Sequence, residues 1–244
     1  MQNFKITIQY DGTSYHGWQI QPNARTVQGE LTRILTLIDR RPVTVHGAGR
    51  TDAGVHAEGQ VASVQIERDF DPRDLRDAVN GNLDRDVRIL KAELASEDFN
   101  ARFSAKQKTY RYRIWTGDVV SPFAYRYVHH YRGPFDLKEM RRAAAALIGV
   151  HDFSAFTVSE SEVEDHVRAL THLDIDQEGN EMSIVAAANG FLRYMVRTIV
   201  GTLIEVGREN RTAAGVRDTL ESRDRKNAGP TAPARGLTLV RVDY

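Results

Sequence analysis

The chain contains no cysteine, so a disulfide frame, a thiolate nucleophile and a thiolate zinc site are excluded, and any chemistry rests on other groups. Long apolar runs are missing too: no stretch approaches the ~18 uninterrupted apolar residues of a membrane-spanning helix. Residues 1–10 show no basic region ahead of an apolar segment. Neither export nor membrane insertion is expected, and the absence of cysteine fits a reducing cytoplasm. No charge of one sign predominates, since 33 lysines and arginines balance 33 aspartates and glutamates. Whole-chain charge therefore advertises no polyanionic partner. There is no low-complexity segment, and amphipathic patterns recur along all 244 residues. That length allows one large domain or two small ones around a real core.

What is present is unevenly placed. Between Phe99 and Phe135 the only acid is Asp118, whereas Arg102, Lys106, Lys108, Arg111, Arg113, Arg126 and Arg132 all fall there. Phe103, Tyr110, Tyr112, Trp115, Tyr125, Tyr127 and Tyr131 interleave with them. Cations neutralise phosphates while rings stack on unpaired bases, so the pattern suits a nucleic acid. A solvated edge strand whose aromatics face a core has the same composition, and composition alone does not choose.

Periodicity gives the organisation. Phe4, Ile6, Ile8 and Tyr10 alternate with polar residues as in a half-buried strand, and Val27, Leu31, Ile34, Leu35 and Ile38 follow Thr26 at helical spacing. Strand-like runs at residues 42–46 and 60–67 flank a glycine-rich loop. Asp71-Pro72 opens a helix ending near Leu83, and residues 87–94 supply another strand. Residues 108–116 alternate, with Tyr110, Tyr112 and Ile114 on one face; Asp136 opens a helix through Leu147; residues 168–176 and 181–189 read as a hairpin. A long helix is expected from Phe191 to Val206, stopping at Gly207, with Arg193 and Arg197 four apart on one face. A short helix at residues 212–222, a loop at 228–235 and a strand at 237–243 close the chain. The fold class is α+β: two similar βαββαβ-like halves, residues 1–105 and 106–244.

The loop from His46 to His56 holds three glycines around Arg50, Thr51 and Asp52. Glycines allow a loop to fold tightly against a ligand, which would make Asp52 a placed carboxylate; an Asx-turn in a plain connection is the other reading. No Gly-Lys-Ser or Gly-Lys-Thr closes a phosphate loop, and no helix opens here as in a dinucleotide site. His46, His56, His129 and His130 have no metal-ligand spacing and read as structural or phosphate-contacting, and no Gly-x-Ser-x-Gly elbow occurs. Arg197, bracketed by Val196 and Ile199, either meets an anion or runs along the helix edge to solvent.

These residues resemble the tRNA pseudouridine synthase A family. The carrying strings are Tyr10-Asp11-Gly12-Thr13-Ser14-Tyr15-His16-Gly17-Trp18-Gln19, Gly49-Arg50-Thr51-Asp52-Ala53-Gly54-Val55-His56, Phe103 through Tyr112, Phe191 through Arg197, and Gly236-Leu237-Thr238-Leu239. They span the chain, and the string around Asp52 is the most specific. Arg193-Tyr194 departs from the histidines common at these positions. The resemblance implies a mixed, mainly antiparallel sheet with helices packed on it and a central basic cleft. It also implies a homodimer that uses no metal or cofactor.

The implied activity is isomerisation of uridine in the anticodon stem-loop of tRNA, at positions 38, 39 and 40, by breaking the N1 glycosidic bond and rejoining through C5. Asp52 would supply the catalytic carboxylate, Tyr110 would stack on the flipped uracil, and Arg197 would pair with Asp52 and hold it ionised. Arg50, His56, Lys106, Lys108 and Arg111 would contact RNA. The competing class is a non-catalytic RNA-binding module with RRM-like halves, but no RNP1-like string appears, and a binder gives no reason for a carboxylate between glycines. A glycosidase-like hydrolase would need a second carboxylate.

Overall fold

The computed structural model describes residues 1–158 and 164–244. In chain order its elements are β1 (Gln2–Tyr10), α1 (Val27–Asp39), β2 (Val45–Gly47), β3 (His56–Ile66), α2 (Pro72–Asn82), β4 (Val87–Ala95), β5 (Gln107–Trp115), β6 (His129–His130) and α3 (Leu137–Ala145). β7 (Gly149–Asp152), β8 (Val167–Glu178), β9 (Glu181–Ala188), α4 (Met195–Gly207), α5 (Ala213–Ser222) and β10 (Leu237–Asp243) follow. The chain forms two compact units, residues 1–106 with 238–244, and residues 107–237. The closing strand, placed by the sequence pattern with the second half, thus belongs almost wholly to the first unit.

In the first unit β1 lies between β3 and β4, antiparallel to both. β2 runs antiparallel to the later part of β3, and β10 runs parallel to its start through Thr238 opposite His56 and Leu239 opposite Ala57. With neighbours on both edges β3 is buried along almost its whole length, which is why residues 61–66 read as a nearly continuous apolar strand. The helices start where their caps demand. Thr26 accepts a hydrogen bond from Gly29 N–H at the start of α1, and Asp71 accepts from Arg73 N–H with Pro72 in the first turn of α2. Leu31, Ile34 and Leu35 of α1 and Leu75 and Val79 of α2 are buried. The α+β class and the mainly antiparallel pairing agree with expectation.

In the second unit β9 lies between β5 and β8, β7 is antiparallel on the other edge of β8, and β6 is parallel to the end of β5. Tyr110, Tyr112 and Ile114 of β5 are buried, on the face the alternation assigned them. Asp136 caps α3 by accepting from Glu139 N–H. Nearly every residue of α4 is buried, as suits a helix apolar almost all round.

Three expectations change. β3 begins at His56 rather than Gln60, because pairing with β10 extends a segment whose Glu58 and Gly59 look unlike a strand. α4 begins at Met195 rather than Phe191. Tyr194 adopts a left-handed conformation (φ 61) and the Arg193 carbonyl accepts from the Thr157 hydroxyl, so the chain enters the helix only afterwards. Arg193 therefore precedes the helix and does not share a helical face with Arg197. The short strands β6 and β7 carry no pattern of their own and form by pairing with longer neighbours. Among the described residues no helix is long and apolar enough to cross a membrane.

Candidate active site

Asp52 sits half-buried in the connection from β2 to β3, and the backbone around it is fixed from several directions. Ala48 N–H donates to Val61 O at 2.7 Å, and the Gln60 side-chain amide donates to Gly49 O at 2.9 Å. Trp18 N–H donates to Thr51 O at 3.0 Å and Gly54 N–H to Tyr15 O at 3.3 Å. Val55 N–H donates to the main-chain oxygen of Asp52 at 3.1 Å, so the turn closes through the backbone. The Tyr10 hydroxyl lies 2.8 Å from Thr51 Oγ1, and burial pushes its pKa up to about 12, so it stays protonated at ordinary pH.

The segment that follows β1 makes this bracing possible. Gly17 has φ 90, and a Cβ built on it would lie 2.6 Å from Thr51 O. Only glycine allows that conformation and approach together. Tyr15 donates to Asp86 at 2.7 Å, and Arg25 bridges Asp86 and Asp84, which ties the segment to the start of β4.

The other first-unit candidates differ in setting. Arg50 is exposed and its Nε donates to Gln19 Oε1 at 3.1 Å. His56 is only 3% exposed; its Nδ1 accepts from Gly12 N–H at 3.0 Å, with the Asp11 carboxylate 3.2 Å away. A side chain so enclosed braces the loop and has little surface to offer a phosphate. Lys106 is exposed, and its N–H donates to Asp243 O.

In the second unit Tyr110 is 7% exposed, opposite Ala186 on β9, with its ring edge-on to Phe191 at 5.2 Å. Lys108 and Arg111 on the same strand are half-buried. Arg113 is engaged by Glu181 through two hydrogen bonds of 2.6 and 2.8 Å, which hold the Glu181 carboxyl below its ordinary range. The two readings of the basic and aromatic stretch are divided among its residues. Tyr110 and Tyr112 face inward, whereas Phe103 is 79% and Phe123 92% exposed, and Arg102 and Arg126 lie over the rings of Phe103 and Tyr125.

Arg197 is half-buried on α4, its guanidinium 5.1 Å from the Tyr194 ring centre. Its Nε donates to Ala232 O at 2.7 Å, while Ala232 N–H donates to Arg197 O at 3.0 Å. It is held against the segment 228–236, a strap that the sequence pattern rendered only as a loop. The Tyr112 hydroxyl, its pKa raised by burial, donates to Pro233 O of the same strap at 2.8 Å. His129, edge-on to Tyr112, has its pKa lowered by burial and then by Arg235 and His130. The strap, Tyr10, Thr51 and Gln60 went unread as site elements. Tyr10 and Thr51 fall inside the family-like strings and alternation turns Tyr10 inward, while the strap's local signals are Pro230 and Pro233, which fix extended backbone. Among the described residues no group of three or more metal-ligating side chains is placed to hold an ion.

The model of the tRNA pseudouridine synthase family matches residues 6–104 and 143–244. Three curated relatives carry the name tRNA pseudouridine synthase A. That of Limosilactobacillus reuteri is 44% identical over 249 residues, covering 100% of this chain and 97% of the relative. That of Streptococcus thermophilus is 43% identical over 247 residues, covering 100% of both. That of Methylobacterium nodulans is 43% identical over 245 residues, covering 100% of this chain and 96% of the relative.

Proposed function

Because the chain belongs to the tRNA pseudouridine synthase family, an isomerase that converts uridine in tRNA to pseudouridine, we propose that Asp52 supplies the carboxylate on which the reaction turns. The observation that carries this reading is the bracing of the Asp52 turn by Tyr10, Tyr15, Trp18 and Gln60. A reacting carboxylate must be held within a fraction of an ångström of its productive position, and a turn fixed from several sides does that. In the isomerisation the N1–C1′ bond breaks, the uracil turns, a C5–C1′ bond forms, and the proton on C5 leaves while N1 gains one. Nothing is added or lost, so the residues need only stabilise the detached base, keep it in place and relay that proton.

Arg197 is the proposed counter-charge that keeps Asp52 ionised, and Tyr110 is the proposed stacking surface for the extruded uracil. Asp52 and Arg197 fall inside the family-matched residues, whereas Tyr110 falls outside them and rests on the resemblance of the string from Phe103 through Tyr112. Arg50, Lys106, Lys108 and Arg111 are the proposed contacts to RNA backbone, while His56 serves the loop instead. The proposed substrate region is the anticodon stem-loop at tRNA positions 38, 39 and 40, and the working form is a cytoplasmic homodimer without cofactor.

The test is incubation of the purified protein, with EDTA, with tRNA lacking pseudouridine, followed by base-resolved mapping. Pseudouridine at the anticodon-arm uridines is the expected product. Product confined to another arm would overturn the substrate reading, and none at all would overturn cofactor-free activity.

A further inference from the structure

The strap that holds Arg197 is itself held from a second side. α5 ends at Ser222, Arg223 turns the chain with φ 54, and Asp224 accepts from Lys226 N–H at 2.9 Å. Arg225 follows in this turn and is half-buried. Its Nη1 donates to Gly229 O at 3.0 Å and Ala228 O at 3.5 Å, and its Nη2 donates to Thr231 Oγ1 at 3.1 Å. One guanidinium thus grips residues 228, 229 and 231.

The same residues lie directly against α4. Gly229 N–H donates to Thr202 Oγ1 at 2.9 Å, and Thr231 Oγ1 is 3.4 Å from Thr198 Oγ1. At Gly201 a Cβ would stand 1.7 Å from Pro230 O, so strap and helix touch backbone to backbone. Ala232, next along the strap, exchanges two hydrogen bonds with Arg197, one of them from the guanidinium. The Nε hydrogen bond to Ala232 O is one of the contacts that orient the fork, so a shift of the strap bears directly on its orientation.

We infer that Arg225 is a positioning residue for the isomerisation: by gripping residues 228–231 it fixes the Ala232 carbonyl and, through it, the Arg197 guanidinium. The inference rests on the reading of Arg197 given above. It explains why an arginine is suited to position 225, since its planar fork reaches a carbonyl and a hydroxyl from two separate nitrogens, where a lysine has one.

The experiment is a mutant cycle read by single-turnover rate at saturating tRNA, with tRNA affinity and melting temperature measured alongside. A displacement on the order of 1 Å at a reacting group costs up to about 100-fold, so Arg225→Ala is expected to lower the rate by about 10- to 100-fold. Affinity stays unchanged, and Arg225→Lys falls between. In an Arg197→Lys background, which lacks the Nε hydrogen bond, Arg225→Ala should lower the rate by less than about two-fold further, while lowering the melting temperature as much as before. If Arg225→Ala does not fold, Arg225→Lys takes its place in the cycle. A wild-type rate for the Arg225 variant, or an undiminished loss in the Arg197→Lys background, would overturn the inference. A wild-type rate for Arg197→Lys alone would instead show that the reading of Arg197 has failed, and the inference falls with it.

Discussion

The connection at residues 48–55 and the one at residues 116–128 both join strands, yet one is pinned and the other open. In the first, Ala48, Thr51 and Val55 are buried, and the main chain bonds to residues 15, 18 and 61, outside the loop itself. In the second, most of the backbone bonds are local, among Ser121, Ala124, Tyr125 and Tyr127, while Val119, Phe123 and Tyr125 stand in solvent with Arg126 over the Tyr125 ring. A group that must meet a reacting atom needs its loop over-determined. Rings and cations that take hold of a large flexible polyanion need only be accessible. The comparison predicts that changes to the pinned parts cost rate and changes to the basic and aromatic residues between Phe99 and Phe135 cost affinity.

Next to Asp52 itself, the largest effect is expected at Arg197, which the strap holds through two hydrogen bonds with Ala232. Arg197→Ala should lower the single-turnover rate by about 100-fold or more, the scale for losing one charge-stabilising group, and Arg197→Lys should fall between. Rapid-quench measurement at saturating tRNA checks this.

Tyr110→Ala comes next. Base–aromatic stacking is worth about 1–3 kcal/mol, so its loss should reduce rate or affinity by roughly five-fold to over a hundred-fold. Tyr110→Phe, which keeps the ring, retains substantial activity if stacking is the role; a fall to the level of the Ala variant would instead assign proton transfer to the hydroxyl. Wild-type rates for both would exclude Tyr110 from the site.

Gly17→Ala tests the pinning itself, since it puts a Cβ at a left-handed position against Thr51 O. It should lower stability by about 1–2 kcal/mol in urea unfolding and lower the rate without weakening tRNA binding. Unchanged catalysis would show that the bracing is incidental.

The smallest effect on rate is expected from neutralising Lys106 and Arg111 together. The rate at saturating tRNA should hold, while the slope of log affinity against log salt falls by about 0.7–0.9 for each phosphate no longer neutralised. An unchanged slope would mean that the RNA binds elsewhere.

The sequence made the regular elements legible where period and cap agreed, as in α1 after Thr26, α2 after Asp71 and β5 with its inward tyrosines. It failed where a distant partner decides. The start of β3 depends on β10, at the other end of the chain, and the start of α4 on a left-handed Tyr194 and the Thr157 hydroxyl. The glycines marked the Asp52 loop as unusual and the string holding Tyr15 and Trp18 marked the family, but that these two anchor the loop by main-chain hydrogen bonds shows only in the folded chain. The strap is the clearest case. Residues 228–236 have no period, and their importance lies in what they touch on α4, which only tertiary packing supplies.

The central claim is that Asp52 is needed for turnover and dispensable for tRNA binding. It is tested most directly by Asp52→Asn, which keeps the side chain's size and removes its charge, assayed for single-turnover pseudouridine formation and for tRNA affinity on the same preparation. The account predicts a rate below about one percent of wild type with affinity within several-fold, because backbone phosphate contacts carry most of the binding. Turnover above that level by the purified variant would contradict it.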